Sequence, residues 1–213
     1  MLIKTTVRVI RKCTRRYSAV SLIDSTDVKD LNLLKDVHVM SDAITKAEHE
    51  TLVRECERSL KRRRYETGHW DGVIESFREI TKRDWTLESR KVFERLIESD
   101  PVEKLELKEF LPPHVLDLSK DGFIKPHIDS IIASGQMVAG ISLLSPAVMV
   151  LSRESESLRI LLPPRSFYVL SGTARFEFKH EILPGTTKWT DDSSIVRDRR
   201  ISIILRDEIR SDS

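Results

Sequence analysis

The segment KPHID at positions 125–129 places His127 and Asp129 two residues apart. Side chains at positions i and i+2 of a β-strand point to the same face, so this imidazole and this carboxylate can reach a common ion. His180 follows near the end of a later predicted strand. Two histidines and one carboxylate that leave three coordination positions open are the iron ligands of non-haem Fe(II) oxygenases. We therefore expect these three side chains to bind Fe(II), with room for a chelating 2-oxo acid and for dioxygen.

A second histidine and aspartate with the same spacing, His69 and Asp71, lie in the sequence GHWDG between two predicted helices. No strand pattern surrounds this pair, and no histidine and arginine follow it in a matching arrangement. A motif this short occurs by chance, so the surrounding pattern has to decide between the two. We therefore predict the metal site at His127 and interpret His69 as a loop histidine with a local hydrogen bond.

Two arginines bracket the predicted strand RISIILR at positions 200–206. Arg200, Ser202, Ile204 and Arg206 share one face because side chains alternate along a strand. An inward guanidinium is costly unless an anion pairs with it, and a dicarboxylate cosubstrate would supply that anion with bidentate geometry. On this segment alone the alternative stays open that both arginines face solvent while the apolar residues between them form the core.

Two amphipathic helices are predicted in the first half of the chain. The first runs from Thr45 to Arg64 and begins with a capping box, in which the Thr45 hydroxyl and the Glu48 carboxylate each accept a hydrogen bond from the other residue's amide. The second runs from Thr86 to Ser99. Each helix has one apolar face, so each must cover another part of the fold.

Short alternating or β-branched segments follow from residue 114 onward, and they predict strands at 114–118, 124–129, 138–144, 147–151, 158–162, 166–170, 174–181 and 201–206. Strands at this density favour an antiparallel jelly roll. Helices that precede such strands pack on one outer face of the β core. The predicted fold is therefore α+β, with a double-stranded β-helix (jelly roll) core and N-terminal helices packed on one outer face.

The composition is that of a globular chain, with 213 residues of which 39% are hydrophobic, 33% charged and 6% aromatic. These values exclude disordered, collagenous and multi-span membrane proteins. No segment reaches the ~18 consecutive apolar residues that a transmembrane helix needs, so we expect no stable membrane insertion. Cys13 and Cys56 cannot form a disulfide framework or a CxxC-type zinc site, which indicates a reducing compartment.

The net charge of +2 conceals an uneven distribution along the chain. Residues 1–23 contain six basic residues and no acid, which leaves 30 basic against 34 acidic residues in the remainder. A basic, acid-free segment with interspersed apolar residues is typical of a mitochondrial presequence. The alternatives are a basic arm that touches nucleic acid and an amphipathic segment that lies on a membrane.

Three segments, HVLDLSKDGFIKPHID, SFYVLSGTARFEFKHEI and RRISIILR, resemble the AlkB family of Fe(II)- and 2-oxoglutarate-dependent dioxygenases, in particular its mitochondrial branch. The resemblance is firm over residues 114–206 and extends more loosely through RRRYETGHWD. It implies that 2-oxoglutarate is the cosubstrate and that the three side chains of the predicted metal site are the iron ligands. It further implies that Arg200 pairs with the distal carboxylate of 2-oxoglutarate, that Arg206 lies near its oxo-acid end or the substrate, and that Tyr168 contacts it.

Two positions depart from the family's pattern. Leu118 stands where the nucleic-acid demethylases of the family usually carry a tyrosine, nine residues before the first iron ligand. Ser202 stands where they usually carry an asparagine, two residues after the cosubstrate arginine. Both changes bear on how 2-oxoglutarate is hydrogen-bonded and leave the iron site intact.

The resemblance implies an oxidoreductase of the mitochondrial matrix that hydroxylates or demethylates a protein substrate, with roles in programmed necrosis after alkylation damage and in fatty-acid metabolism. The alternative is an RNA demethylase that acts on mitochondrial tRNA precursors. Such an enzyme needs aromatic side chains that stack on bases and a basic track for phosphates. Trp70, Phe77 and Trp85 are interpreted as core or helix packing. The basic run at 61–64 is interpreted as a solvated helix terminus, and the run at 197–200 could form a track.

The predicted domain organisation has four parts: a presequence at 1–23 that is removed on import, an N-terminal helical extension at 24–113, the dioxygenase core at 114–207 and a polar tail at 208–213. A third possibility for the function is a catalytically inactive core that serves as an interaction module. The complete set of predicted iron ligands, together with Arg200, argues against it.

Overall fold

The computed structural model describes residues 21–132, 134–190 and 192–209. Most of the predicted presequence and of the predicted polar tail therefore lies outside the described residues. No helix in the described part of the chain is long and apolar enough to cross a membrane.

Residues 21–113 form short strands and the helices predicted from the sequence. The elements are β1 (Ile23–Asp24), a 3-10 helix (Leu31–Lys35), β2 (Val37–Met40), α1 (Lys46–Leu60), β3 (Glu66–Gly68), β4 (Ile74–Thr81), α2 (Leu87–Ile97) and α3 (Asp100–Glu103). Strands dominate the remainder, whose elements are β5 (His114–His127), β6 (Val138–Leu144), β7 (Ala147–Arg153), β8 (Glu156–Leu162), β9 (Phe167–Leu170), α4 (Gly172–Phe176), β10 (Lys179–Ile182), β11 (Thr186–Lys188), β12 (Ser194–Val196) and β13 (Arg200–Arg206).

The described strands form one antiparallel sheet of 11 strands and a separate pair, β11 and β12. The large sheet curls at the long strand β5 into two layers around an apolar core, and we refer to these layers, which share β5, as the first and the second sheet. The strand order is β2-β9-β6-β13-β5-β4-β3 in the first sheet and β5-β10-β7-β8-β1 in the second. The first half of β5 pairs with β13 between His114 and Leu118, and its second half pairs with β10 at Ile124 and His127. This pairing forms the predicted jelly roll. The strands predicted at 114–118 and 124–129 are the two halves of one continuous strand.

Strand β5 passes from the first sheet to the second at Gly122. A Cβ atom there would lie 2.8 Å from the carbonyl oxygen of Glu75 and closer still to that of Ser76, so a larger residue would push β4 away. The buried Arg197 holds this crossing by donating hydrogen bonds to the carbonyl oxygens of Ser119, at 3.1 Å, and of Gly122. This arginine of the basic run at 197–200 therefore serves the fold.

Helices α1 and α2 cover the outer face of the first sheet. The predicted capping box is present, because the Thr45 amide donates to Glu48 Oε2 at 2.7 Å and the Glu48 amide donates to Thr45 Oγ1 at 3.2 Å. The layer between helices and sheet is apolar, and its buried members include Leu52, Cys56, Leu60, Val92, Phe93, Leu96, Ile141, Leu143, Ile201 and Ile203. Both faces of β13 are thus covered, one by the helices and the other by the second sheet.

The structure differs from the sequence-based predictions in several places. The strand predicted at 124–129 ends at His127, so Asp129 lies in the turn that follows it. Segment 24–113 contributes strands as well as helices, since β2 pairs with β9 and β4 pairs with β5. The strand predicted at 174–181 is extended only over Lys179–Ile182, because helix α4 precedes it. Gly172 at the start of α4 has a φ of +44°, and Asp36 Oδ2 accepts a hydrogen bond from the Thr173 amide at 2.7 Å. A carboxylate that is distant in sequence thus stabilises the helix N-terminus.

Candidate active site

A cavity of about 430 Å³ opens between the two sheets. Its wall contains all the side chains that the sequence analysis assigned to a metal or a cosubstrate, namely His127, Asp129, His180, Tyr168, Arg200 and Arg206. Strands β5 and β10 supply the two histidines, the turn after β5 supplies the aspartate, and β9 and β13 supply the other three. The fold therefore brings together residues that are widely separated in the sequence.

Three side chains of the cavity wall could hold a metal ion, because their ligand atoms lie within 4.8 Å of one another. His127 and His180 are partners in the β5–β10 pair, with ring centroids 4.2 Å apart. Asp129 Oδ1 lies 3.2 Å from Nε2 of His127 and 3.6 Å from Nε2 of His180. This donor set and its spacing fit the non-haem Fe(II) site that the sequence predicts.

Local hydrogen bonds set the charge and orientation of these three side chains. His127 Nδ1 lies 2.9 Å from the Lys125 carbonyl oxygen, to which it can donate, so that Nε2, which faces Asp129 Oδ1 at 3.2 Å, is the nitrogen that would bind a metal. Burial acts to lower the pKa of His127, but hydrogen bonds to Asp129 and to this carbonyl raise it. Burial opposes ionisation of Asp129, yet its hydrogen bond with His127 and the charge of Arg206 hold its pKa well below the usual range. Burial lowers the pKa of His180 to about 4, so this imidazole is neutral at pH 7.

Two arginines fix the position of Asp129. Arg206 Nε donates to the second carboxylate oxygen, Oδ2, at 2.9 Å. The buried Arg175 donates to the Asp129 carbonyl oxygen at 2.9 Å and to Ser134 Oγ at 2.9 Å. The sequence analysis missed Arg175, although it stands in the SGTAR string that precedes His180. Arg175 therefore holds the turn on which the predicted metal ligand is placed.

We expect Arg175→Met to weaken divalent metal binding by about 10- to 100-fold, which is the usual effect of removing a group that orients a metal ligand. The physical reason is the loss of the hydrogen bonds that fix the turn around Asp129. Arg199→Met is the matched control, because Arg199 also pairs with a buried carboxylate, that of Asp117 at 2.9 Å, but lies outside the cavity wall. Mn(II) titration followed by electron paramagnetic resonance measures both variants. Equal losses in the two would contradict the assigned role.

Arg200 is buried without a carboxylate partner. Its exposed fraction is 1%, and its Nε and Nη2 atoms have no hydrogen-bond partner among the described residues. The Tyr168 hydroxyl interacts with the same guanidinium, and burial lowers the pKa of Arg200. Unused buried donors in a cavity wall fit one carboxylate of a dicarboxylate such as 2-oxoglutarate. The alternative in which both arginines of β13 face solvent is wrong, because the helices cover the opposite face of the strand.

The Tyr168 ring lies against Gly140 on the neighbouring strand β6. A Cβ atom at Gly140 would lie 2.6 Å from a ring carbon and 2.7 Å from the hydroxyl oxygen of Tyr168. We expect Gly140→Val to displace the ring and to raise the Kd for 2-oxoglutarate roughly tenfold, through the loss of one hydrogen bond. Tyr168→Phe removes the hydroxyl without displacing the ring and is expected to give a similar loss. Calorimetric titration with 2-oxoglutarate measures both, and an unchanged Kd in both would contradict the contact.

Ser202 and Leu118, the two residues that depart from the family's pattern, lie in different surroundings. Ser202 lines the cavity on the same face of β13 as Arg200. Leu118 is fully buried in the core between the sheets and is the strand partner of Arg200 on β5. The leucine thus fills the core, and Tyr168 brings a hydroxyl to the guanidinium from another strand.

The turn between β3 and β4 lines the same cavity, which the sequence analysis did not predict. His69 lies in this turn, as predicted, and its Nδ1 is 2.8 Å from Asp71 Oδ1, but this contact lacks the geometry of the predicted hydrogen bond. Trp70 is 90% exposed, so its interpretation as a packing residue is wrong. Phe77 and Trp85 are buried, as predicted. The second histidine and aspartate pair is therefore part of the cavity wall.

Comparison with known proteins agrees with this geometry. A family model described as the 2OG-Fe(II) oxygenase superfamily matches residues 115–206. The protein named alpha-ketoglutarate-dependent dioxygenase alkB homolog 7, mitochondrial, from Mus musculus is 40% identical over 202 residues, which cover 92% of this chain and 90% of that protein. The protein of the same name from Bos taurus is 44% identical over 182 residues, which cover 83% of this chain and 80% of that protein.

The fold comparison gives the same result. The solved structure of OsALKBH1 has a TM-score of 0.58 and 14% sequence identity, and the match covers 80% of this chain and 97% of that chain. Both curated relatives are named as mitochondrial proteins, which supports a mitochondrial location for this chain. The identity over most of the chain, the jelly roll and the His/Asp/His cluster lead to one conclusion: the chain belongs to the AlkB family of dioxygenases, which use Fe(II), 2-oxoglutarate and dioxygen.

Proposed function

We propose that this dioxygenase acts in the mitochondrial matrix and hydroxylates or demethylates a side chain of a protein substrate. In this proposal Arg200 pairs with the distal carboxylate of 2-oxoglutarate, and Tyr168 orients the same end. Arg206 lies near the oxo-acid end of 2-oxoglutarate and holds the metal-binding carboxylate. The proposed iron ligands are the three residues whose ligand atoms cluster in the cavity wall: His127, Asp129 and His180.

Bound iron, 2-oxoglutarate and dioxygen together supply the oxidation of a C–H bond, in which one oxygen atom enters the substrate, the other enters succinate, and CO₂ leaves. The chain's own side chains hold and orient these groups. Arg206 binds Asp129 Oδ2, which turns Oδ1 toward the two histidines. Arg200 supplies two free buried donors for a carboxylate. The substrate must then reach the iron through the remaining part of the cavity.

The cavity wall offers no basic track for a nucleic-acid backbone, and this observation supports a protein substrate over RNA. Among the described residues that line the cavity there is no lysine, and the arginines are Arg200 and Arg206, which face the cosubstrate side and Asp129. Arg199, in the neighbouring basic run, is occupied internally, because it pairs with Glu57 at 2.8 Å. Phosphate recognition depends on free lysine and arginine side chains.

The basic run at 61–64 does not change this argument. It is exposed and follows the end of α1, as predicted, and it does not line the cavity. Cations at a helix C-terminus are stabilised by the helix dipole and need no partner.

Binding measurements at several salt concentrations test the choice between protein and RNA. Several phosphate contacts would give RNA binding a steep inverse dependence on salt, whereas binding of a peptide to this wall would depend on salt only weakly. We expect weak RNA binding to the full chain loaded with Mn(II) and 2-oxoglutarate. Tight RNA binding with a steep salt slope would favour mitochondrial tRNA precursors as the substrate.

Mass spectrometry of mitochondrial protein and RNA identifies the product directly. Cells that express the wild-type enzyme are compared with cells that express Asp129→Ala. We expect the gain of one oxygen or the loss of one methyl group on protein side chains only in the wild-type cells. A difference confined to RNA would overturn the proposal.

The location and the physiological roles form part of the same proposal. Removal of residues 1–23 on import leaves a mature chain with more acidic than basic residues. The proposal includes roles in programmed necrosis after alkylation damage and in fatty-acid metabolism, which the family resemblance of the sequence implies. Import of the full chain into isolated mitochondria, followed by N-terminal sequencing of the matrix fraction, tests the location. An uncleaved chain outside the matrix would contradict it.

A further inference from the structure

One wall of the cavity has acidic and aromatic side chains that the proposed iron and cosubstrate sites do not use. We refer to Trp70, Asp71 and Glu79 as the acidic wall; all three line the cavity. His69 connects the two carboxylates, because its Nδ1 lies 2.8 Å from Asp71 Oδ1 and its Nε2 lies 3.4 Å from Glu79 Oε1. His114 Nε2 lies 2.9 Å from Glu79 Oε2. The acidic wall is therefore an ordered cluster that spans the β3–β4 turn and strand β4.

Hydrogen bonds keep both carboxylates of the acidic wall ionised. Burial acts to raise the pKa of Asp71, but the hydrogen bond from the Val73 amide, at 2.9 Å, and the neighbouring His69 ring lower it. The hydrogen bond from His114 has the largest influence on Glu79 and lowers its pKa. The contacts that the described residues make with Asp71 all involve Oδ1. Its second oxygen, Oδ2, can therefore accept a ligand.

The acidic wall stands beside the proposed iron site. Asp71 and His127 are close enough that each influences the pKa of the other. Arg206 and Glu79 also interact electrostatically. Arg206, however, is already bonded to Asp129 Oδ2 at 2.9 Å, so its charge is shared with the carboxylate that it holds. A substrate group that enters the cavity next to the iron therefore meets two carboxylates, those of Asp71 and Glu79, that do not belong to the proposed iron site.

Trp70 adds an aromatic face to this negative charge. Its side chain is 90% exposed, and its ring lies 5.4 Å from the His69 ring. An indole face attracts cations through its quadrupole, and proteins use this attraction to recognise quaternary ammonium groups. An aliphatic cation would gain from both the indole and the two carboxylates, whereas the carboxylates would repel an anionic group.

We propose that Trp70, Asp71 and Glu79 form a subsite for a methylated ammonium group on an aliphatic side chain of the protein substrate. The subsite rests on the proposed function and narrows it, because a methylated amine held beside the iron is a substrate for demethylation. It requires no new cofactor.

A binding comparison that does not depend on turnover tests this subsite. The full chain is loaded with Mn(II) and 2-oxoglutarate and titrated with the tripeptide acetyl-Gly-Lys(Me3)-Gly-amide. The matched ligand is the same tripeptide with the quaternary nitrogen replaced by carbon, which keeps the shape and removes the charge. We expect the charged peptide to bind about tenfold more tightly. We also expect Mn(II) to broaden the proton resonances of its methyl groups more than those of its glycines.

Variants of the acidic wall complete the test. We expect Asp71→Asn and Glu79→Gln each to weaken binding of the charged peptide about three- to tenfold and Trp70→Leu about threefold, with little effect on the neutral peptide. Glu50→Gln is the control, because Glu50 is exposed on α1 and does not line the cavity. If a carboxylate variant folds poorly, Trp70→Leu still tests the subsite. The exposed indole contributes little to the core, so its loss should leave the fold intact.

The outcomes separate this inference from the proposed function. Equal affinity for the two peptides, or binding that Trp70→Leu leaves unchanged, would overturn the subsite. Tighter binding of single-stranded RNA than of either peptide would also overturn it. Succinate formation from 2-oxoglutarate is measured separately on the Fe(II)-loaded chain. If succinate forms but the two peptides bind equally, the subsite is rejected and the dioxygenase function is retained.

Discussion

Arg200→Met is expected to stabilise the protein in the absence of 2-oxoglutarate and to abolish its stabilisation by 2-oxoglutarate. Two nitrogens of the Arg200 guanidinium are buried without a partner. A buried unsatisfied donor costs roughly 1–3 kcal/mol, and more when it is charged. Methionine is apolar, flexible and of similar length, so it removes this cost and fills the space. The free energy of unfolding of the variant should therefore rise by about 1–2 kcal/mol. The gain is limited because the variant also loses the contact between Arg200 and Tyr168.

The same variant should lose the stabilisation that bound 2-oxoglutarate gives the wild-type protein. The wild-type protein gains about 2.7 kcal/mol when a ligand is present at 100 times its Kd, whereas a variant that does not bind gains nothing. Urea unfolding with Mn(II), with and without 2-oxoglutarate, measures both effects. Arg199→Met is the control, because that arginine is paired with Asp117 and Glu57 and should lose stability while it keeps the response. A less stable Arg200→Met protein that still responds to 2-oxoglutarate would refute the assigned role.

Asp129→Ala is expected to reduce Fe(II)-dependent succinate formation by about 100-fold or more, because loss of a ligand exceeds the 10- to 100-fold effect of losing a group that orients one. The same change also leaves Arg206 without its carboxylate partner. That side chain is partly exposed, so solvent screens much of the effect, and we expect a stability loss of only about 1 kcal/mol. Anaerobic Fe(II) titration and succinate assays measure the first effect, and urea unfolding measures the second.

Two further variants separate the metal site from stability. Asp129→Asn keeps an oxygen that can accept the Arg206 hydrogen bond but loses the negative charge, so it should retain most of the stability and lose the metal. Asp121→Asn removes an exposed aspartate of β5, the strand that precedes the Asp129 turn, and should affect neither property. Fe(II)-dependent turnover in Asp129→Asn at the wild-type rate would show that the carboxylate is not a metal ligand.

Much of the candidate site could be predicted from the sequence because its chemistry depends on strand alternation. Arg200 and Arg206 share one face of β13, as alternation predicts. His127 and Asp129 are close enough to reach a common ion, as their spacing predicts, but Asp129 lies in the turn after β5 and not in the strand. The family resemblance then added Tyr168, whose contact with Arg200 no spacing rule could give because it depends on two different strands.

Other residues of the site could not be predicted because their roles arise from contacts between distant segments. Arg175 reaches back to the carbonyl oxygen of Asp129, and its SGTAR context gave no sign of that partner. Trp70 lies between a histidine and an aspartate in a short turn. Its large apolar side chain suggested that it packs in the core or against a helix. The turn becomes a cavity wall only because β4 pairs with β5. Helix α4 was predicted as strand because its supporting carboxylate, Asp36, comes from the other end of the chain.

The sequence by itself determined which side chains share a face, where the capped helix α1 begins, and that a jelly roll would contain the metal-binding residues. Only the tertiary structure decided which face of β13 looks into the cavity. Alternation is symmetric and assigns Arg200 and Ile201 to opposite faces without choosing the inner one. Helices α1 and α2 make that choice, because their apolar faces bury Ile201 and Ile203 on the outside of the sheet. The arginines are thereby left on the cavity face, where two nitrogens of Arg200 have no partner among the described residues.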